Sequence, residues 1–202
     1  MNDLSDIYNG CKSVEDYSKR YFKYLADLFP KINLDDINKI VDLFQQARKD
    51  GKTIFFIGNG GSAATCSHFS EDLSLGTYSE NIKPFKTISL TDNTPYITAL
   101  GNDIGYENAF LGQLRCLLSK DDIVIGISGS GNSPNLIKAL EYANSKGATT
   151  IGLLGFDGGK MKKLCKHNLI VKTKKGMYGP VEDMHLVIVH IICTYLLYKI
   201  KE

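Results

Sequence analysis

Two apolar runs in this chain, Thr53–Ile57 and Ile123–Ile127, each end in a turn of small residues and then switch to helical periodicity. The first turn reads GNGGSAA from Gly58 and the second SGSGNSPN from Ser128. A β-run, a small-residue turn and a helix start together make an anion site in an α/β fold. Glycines let the backbone come close, the first helical N–H groups point at the ligand, and the helix dipole favours negative charge. Two such loops suggest one ligand with a phosphate at one end and hydroxyls along its length. Taken alone, either loop reads equally well as a tight turn, and neither has the Walker A or GxGxxG pattern. The second loop crowds Ser128, Ser130, Asn132 and Ser133 into six residues before Pro134, a residue favoured in a helix's first turn. A turn needs glycine but not three hydroxyls, so that loop is read as a phosphate site.

The remaining residues narrow the class. A chain of 202 residues can bury a full core. Its 24 basic and 22 acidic residues leave a net charge of only +2, which argues against a nucleic-acid partner held by a broad basic face. The first twenty residues carry acids and no apolar stretch, so they do not read as a signal peptide. Cys11, Cys66, Cys116, Cys165 and Cys193 are odd in number, scattered and without CxxC spacing, as expected of reduced thiols in the cytoplasm.

No linker or low-complexity stretch divides the chain, so residues 1–202 are read as a single domain. Residues 5–50 have helical spacing, broken near Phe29-Pro30. A second helix opens at Leu34 and runs to Gly51, a natural C-cap. β-like runs follow near 53–57, 86–90, 123–127, 149–154 and 168–172, with helical segments between most of them. That alternation predicts a parallel sheet covered on both faces, with the two loops at the carboxyl ends of their strands, where such sheets bind ligands. The last segment, Val181–Ile200, is strongly apolar. Glu182, Asp183, His185 and His190 interrupt it, so it is read as a buried helix packed on the sheet or on another subunit, not as a membrane span.

Two segments hold polar groups that a core helix does not normally carry. After the first loop, His68 and Asp72 lie four residues apart on one helix face. That spacing suits two metal ligands or a histidine oriented by a carboxylate, and it equally describes an ordinary surface pair. In the last helix His190 sits among Val187, Ile188, Val189, Ile191 and Ile192, where a histidine is usually a satisfied core residue. The nearby acids and the phosphate-type loops favour a functional role.

The segments Gly58–Leu73, Ser89–Phe110, Gly126–Gly147 and Gly155–Met161, with Val181–His190 at the end, together resemble the sugar isomerase (SIS) domain of the phosphoheptose isomerase family. The resemblance covers nearly the whole chain, in order and with near-matching spacing. It implies a five-stranded parallel sheet of flavodoxin or Rossmann-like type flanked by helices, with a helical extension over about 1–50 used in oligomerisation and an α/β core over 51–202. It implies an isomerase that converts sedoheptulose 7-phosphate to an aldoheptose 7-phosphate for surface polysaccharides, acting as a homotetramer. Carried onto this sequence, Ser128, Gly129, Ser130 and Ser133 hold the phosphate, while Asn59, Gly60, Gly61 and Ser62, with Asn102 and Asp103, face the sugar hydroxyls. The family's quartet of catalytic and zinc-binding residues falls on His68, Asp72, Glu182 and His190, with Asp72 as base, His190 as acid and Asp72 and Glu182 also against the substrate.

Three positions depart from the family pattern. Asp72 replaces the usual glutamate, Glu182 the usual glutamine, and Gly129 the common threonine of the phosphate loop. Asp72 and Glu182 leave room for a different sugar phosphate. A second class of function on the same fold is sugar-phosphate binding without turnover, or association with a replication initiator. His190 is the residue expected to be missing there. Should His190 not be the acid, His185 is the next candidate.

Overall fold

The computed structural model describes residues 4–201. Its strands are β1 (Thr53–Gly58), β2 (Lys86–Ser89), β3 (Ile123–Ser128), β4 (Thr149–Gly155) and β5 (His167–Val171). Its α-helices are α1 (Leu4–Tyr8), α2 (Val14–Ala26), α3 (Leu34–Asp50), α4 (Gly61–Ser74), α5 (Thr94–Ile104), α6 (Ala109–Leu117), α7 (Pro134–Ser145), α8 (Met161–Leu164) and α9 (Tyr178–Lys199). All five strands pair in parallel, in the order β2-β1-β3-β4-β5, the flavodoxin-like doubly wound arrangement. The five expected strands all form, each within about a residue or two of its expected ends. β3 is buried along its whole length and β4 along all but its first residue, as strands covered on both faces must be.

Alternation along the strands sends side chains to two separate cores. Ile54 and Phe56 of β1 join Ile123, Ile125 and Ile127 of β3 in the layer beneath α3, α4 and α9. Phe55 and Ile57 point the other way, with Val124, against α6, α7 and α8. On the first face the Phe56 and Phe69 rings lie 4.9 Å apart between centroids, and Phe44 and Phe69 lie 5.8 Å apart. These three rings lock α3, β1 and α4 together, and burial of each is worth a few kcal/mol, roughly 3–5 on truncation to alanine. Because Phe69 faces inward, its neighbour His68 is rotated towards the outer edge of α4.

Within the stretch read as a helical extension, α3 packs into the core of the single domain. α3 is capped by Asn33, whose side chain accepts from the Asp35 N–H at 3.1 Å, and it ends on Gly51 with φ 70°. Its Ile37, Ile40, Val41 and Phe44 are buried in the same core as the sheet, so α3 is one of the layers of the fold. α2, in contrast, buries none of its residues.

By length and hydropathy alone α9 is apolar enough to cross a membrane. In the fold Val181, Met184, Ile188, Val189, Ile192 and Leu196 are buried in the first core, which accounts for their apolar character. The opposite side leaves Ile191, Tyr195 and Tyr198 exposed.

Candidate active site

α4 follows β1 and α9 closes the chain, and the two helices pack side by side on one face of the sheet. Their facing edges carry the cluster. His68 and His190 meet Nε2 to Nε2 at 2.9 Å, with the rings 75° apart. The Asp72 carboxylate lies 3.2 Å from His68 Nε2 and 3.8 Å from His190 Nε2. The i, i+4 spacing of His68 and Asp72 on α4 puts both on the edge that α9 approaches. All three side chains are partly exposed, so a small polar ligand can reach them.

Glu182 stands apart from these three. It precedes His190 by eight residues, about two helical turns, and its carboxylate lies directly over Gly61 at the start of α4. A methyl group at Gly61 would collide with it. Glu182 and His68 line one cavity of about 320 Å³ with Gly61, Thr65, Asp183 and Leu186. Burial first, and the neighbouring Asp183 second, hold the Glu182 carboxyl above the usual carboxylate range. Asp183 itself accepts a hydrogen bond from the Tyr21 hydroxyl at 2.6 Å, which ties α2 to α9.

His185 is not available as an acid. It is fully buried, bonds through Nε2 to the Leu154 carbonyl at 3.1 Å, and has its pKa lowered by burial to about 4. It serves as a core histidine at the end of β4.

The turn after β3 is held from within. Ser128 Oγ accepts from the Gly131 N–H at 3.0 Å, and Ser130 Oγ accepts from the Asn132 N–H at 3.3 Å. Gly131, with φ 62°, lies against the Gly158 carbonyl, and the Gly131 carbonyl accepts from the Met161 N–H at 3.0 Å. Asn132 Oδ1 accepts from the Lys160 N–H at 3.1 Å. The loop after β4 therefore acts as a brace for the loop after β3. Ser133 is the N-cap of α7, yet its hydroxyl caps no helix N–H, and Pro134 follows it at the first helical position. That leaves a hydroxyl beside a helix N-terminus, where an anion is favoured.

The turn after β1 is joined to this one by a pair of amides. Asn59 Nδ2 donates to Asn135 Oδ1 at 3.0 Å, and Asn135 Nδ2 donates back to Asn59 Oδ1 at 2.9 Å. Tyr106 donates its hydroxyl to the same Asn59 oxygen at 2.8 Å. The Asn59 amide is thus engaged within the protein, and it holds the two loops in register. Gly60 has φ 55°, a backbone that glycine adopts without strain, and Gly61 and Ser62 open α4. Asn102 and Asp103 lie at the end of α5, exposed and bonded to each other at 2.9 Å.

Neither Asn135 nor Tyr106 stood out in the sequence. A buried asparagine one residue into a helix, directly after Ser133-Pro134, was the available signal, because such a residue must have partners. Ser67, Thr91 and Asp92 were also missed. They form a network at the carboxyl end of β2, with Ser67 Oγ donating to Asp92 Oδ1 and Thr91 Oγ1 to the same oxygen at 3.2 Å.

The donor set suits a divalent metal. Two imidazole nitrogens and one carboxylate oxygen, all within 4.8 Å of one another, are the ligand types of a catalytic zinc. His68, Asp72 and His190 are the residues that fit it, with Glu182 facing the same cleft from above.

Known proteins share this architecture. The SIS domain family model matches residues 20–155. The phosphoheptose isomerase of Aliarcobacter butzleri is 42% identical over 162 residues, 80% of this chain and 84% of that protein. The phosphoheptose isomerase of Pelobacter propionicus is 35% identical over 190 residues, 94% of this chain and 95% of its own. The solved phosphoheptose isomerase of Neisseria gonorrhoeae superposes with a TM-score of 0.82 at 28% identity, covering 91% of this chain and 98% of the other. The α4–α9 cluster, on one face of a flavodoxin-like sheet, thus occurs in a chain that belongs to the phosphoheptose isomerase family of SIS-domain proteins.

Proposed function

We propose that this isomerase interconverts sedoheptulose 7-phosphate and D-glycero-D-manno-heptose 7-phosphate through an enediol, as a step towards heptose units of surface polysaccharides. The observation that carries this reading is the meeting of His68, Asp72 and His190 across 122 residues of chain. Moving a carbonyl from C2 to C1 needs a proton taken from C1 and one delivered to C2. It also needs the C2 oxygen protonated and the C1 hydroxyl deprotonated. In this reading Asp72 exchanges the carbon-bound proton, and His190 carries the proton between the two oxygens. When bound at His68, Asp72 and His190, zinc supplies Lewis-acid polarisation of the carbonyl. The phosphate, held at Ser130, Ser133 and the α7 N-terminus, anchors the far end and orients the reacting one.

His190 argues for turnover over mere binding, since it faces the base instead of packing in the core. The exposed Ile191, Tyr195 and Tyr198 on α9 support a homotetramer in which this face is covered by another copy. The free thiols suit a reducing, cytoplasmic setting. Incubating the metal-analysed protein with sedoheptulose 7-phosphate, and following aldoheptose signals by NMR, tests the proposal. Signals of the aldose should grow in; a spectrum unchanged over hours at micromolar enzyme overturns it.

A further inference from the structure

Gly129 lies between the two inner serines of the phosphate loop, and its backbone does not require glycine. Unlike Gly131, it is not among the residues with positive φ. What excludes a side chain there is the ring of Tyr178. A Cβ built on Gly129 would sit 3.0 Å from Tyr178 Cδ1 and 3.3 Å from Cε1, closer than real Cβ contacts normally come. Tyr178 is the first residue of α9, and its ring stacks edge-on against Phe156 with centroids 5.1 Å apart. Phe156 holds φ 55°, a rare conformation for an aromatic residue, immediately after Gly155. A Cβ on Gly155 would press on Val181 Cγ1 at 2.6 Å and on the Gly129 carbonyl at 2.7 Å. Space has therefore been cleared at two glycines to bring the start of α9 down onto the turn.

The tyrosine has one side against the loop and the other free. It is 49% exposed, and among the described residues nothing bonds to its hydroxyl. A phenol ring held by Gly129 and Phe156 is nearly fixed, so its hydroxyl is presented at little further entropic cost. The turn beneath offers the hydroxyls of Ser130 and Ser133, while position 129 contributes none.

We propose that Tyr178 is a substrate contact in this protein. Its ring occupies the place a side chain at 129 would take, and its hydroxyl donates to the phosphate held by the 128–133 turn. The inference rests on the sugar-phosphate reading above. It makes Gly129 and Tyr178 a coupled pair.

Four variants test it: Tyr178→Phe, Tyr178→Ala, Gly129→Thr and the double variant Gly129→Thr/Tyr178→Ala. KM and kcat for sedoheptulose 7-phosphate are read together with calorimetric affinity for inorganic phosphate, which needs no turnover and so separates this proposal from the choice of reaction. Tyr178→Phe keeps the ring and removes one donor to a charged oxygen. KM and the phosphate Kd should each rise about tenfold, with the loss falling on KM and not on kcat, and Tm unmoved. Gly129→Thr should weaken phosphate binding with Tyr178 present and do so much less once the ring is gone, because the threonine then has room and brings its own hydroxyl. The proposal is overturned if Tyr178→Phe leaves phosphate affinity within twofold of wild type, or if Gly129→Thr has the same effect in both backgrounds.

Discussion

His68 Nε2 and His190 Nε2 lie 2.9 Å apart, one imidazole from the helix after the first strand and the other from the last helix of the chain. At that distance one nitrogen donates and the other accepts, or both turn to a shared cation, since two N–H groups facing each other would repel. Asp72, 3.2 Å and 3.8 Å from the two nitrogens, supplies the negative charge that lets them share the space. α9 thus completes a site that α4 begins.

Ser133 and Ser128 should behave differently when each is replaced by alanine. Ser133 Oγ caps no helix N–H, so Ser133→Ala should raise KM by roughly tenfold to a hundredfold, the value of one hydrogen bond to a charged group, with Tm unchanged. Ser128 Oγ accepts from the Gly131 N–H inside the turn, so Ser128→Ala should lower Tm as well as affinity. Steady-state kinetics alongside thermal melts distinguish the two. Equal loss of Tm in both variants contradicts the assignment.

The Glu182 carboxyl, raised by burial and by Asp183, destabilises the folded chain once it ionises. Between its ordinary value and its folded value, the folded state holds more protons than the unfolded one, so stability falls as pH rises through that window. Glu182→Gln removes the cost. The variant should melt above wild type at pH 8, and the gap should shrink towards pH 4, where the acid is mostly neutral in both states. A gap that is absent at pH 8, or that grows on acidification, contradicts this.

His185 acts in the opposite sense. Its folded pKa of about 4 lies below the unfolded value, so the folded state binds fewer protons between about pH 6.5 and pH 4. Stability from this residue is complete above about pH 6.5 and is lost as pH falls towards 4, on the order of 3 kcal/mol in all. Urea unfolding of wild type and His185→Gln at pH 7 and pH 4.5 should show a smaller acid loss in the variant. Equal losses would place the acid sensitivity elsewhere.

Much of this was legible in the chain. The strands announced themselves because a parallel sheet demands unbroken apolar runs, and Gly51 marked the end of α3 because only a left-handed cap suited it. The two loops were visible because turns that bind anions are built from residues with little side chain and many donors. The α4–α9 cluster was reached through family likeness, since no periodicity says that His68 faces His190. The amide pair Asn59–Asn135 and the ring over Gly129 depend on how α7 and α9 are laid over the sheet, and local sequence does not encode that. The place of α3 in the core was hidden for a related reason. α3 looks like an ordinary amphipathic helix, and only its partners show it to be a core layer.

Ile191, Tyr195 and Tyr198 form an apolar stripe on α9 that water would otherwise cover, and we expect it to be buried between copies. Light scattering at micromolar concentration should give about four times the 22.4 kDa of the chain. Tyr195→Lys should shift the mass downwards. A monomer in the wild type contradicts the expected assembly.

The most direct test of the proposed chemistry is conversion of sedoheptulose 7-phosphate in D2O, followed by proton NMR, for wild type, Asp72→Asn and His190→Ala. Wild type should form the aldoheptose phosphate with deuterium at carbon 2, because a proton passed through Asp72 exchanges with solvent. Both variants should remain folded and be slower by about 10²–10⁴-fold, the usual contribution of a positioned acid or base. Wild-type turnover without deuterium at carbon 2, or variants as fast as wild type, would contradict a proton-transfer centre at His68, Asp72 and His190.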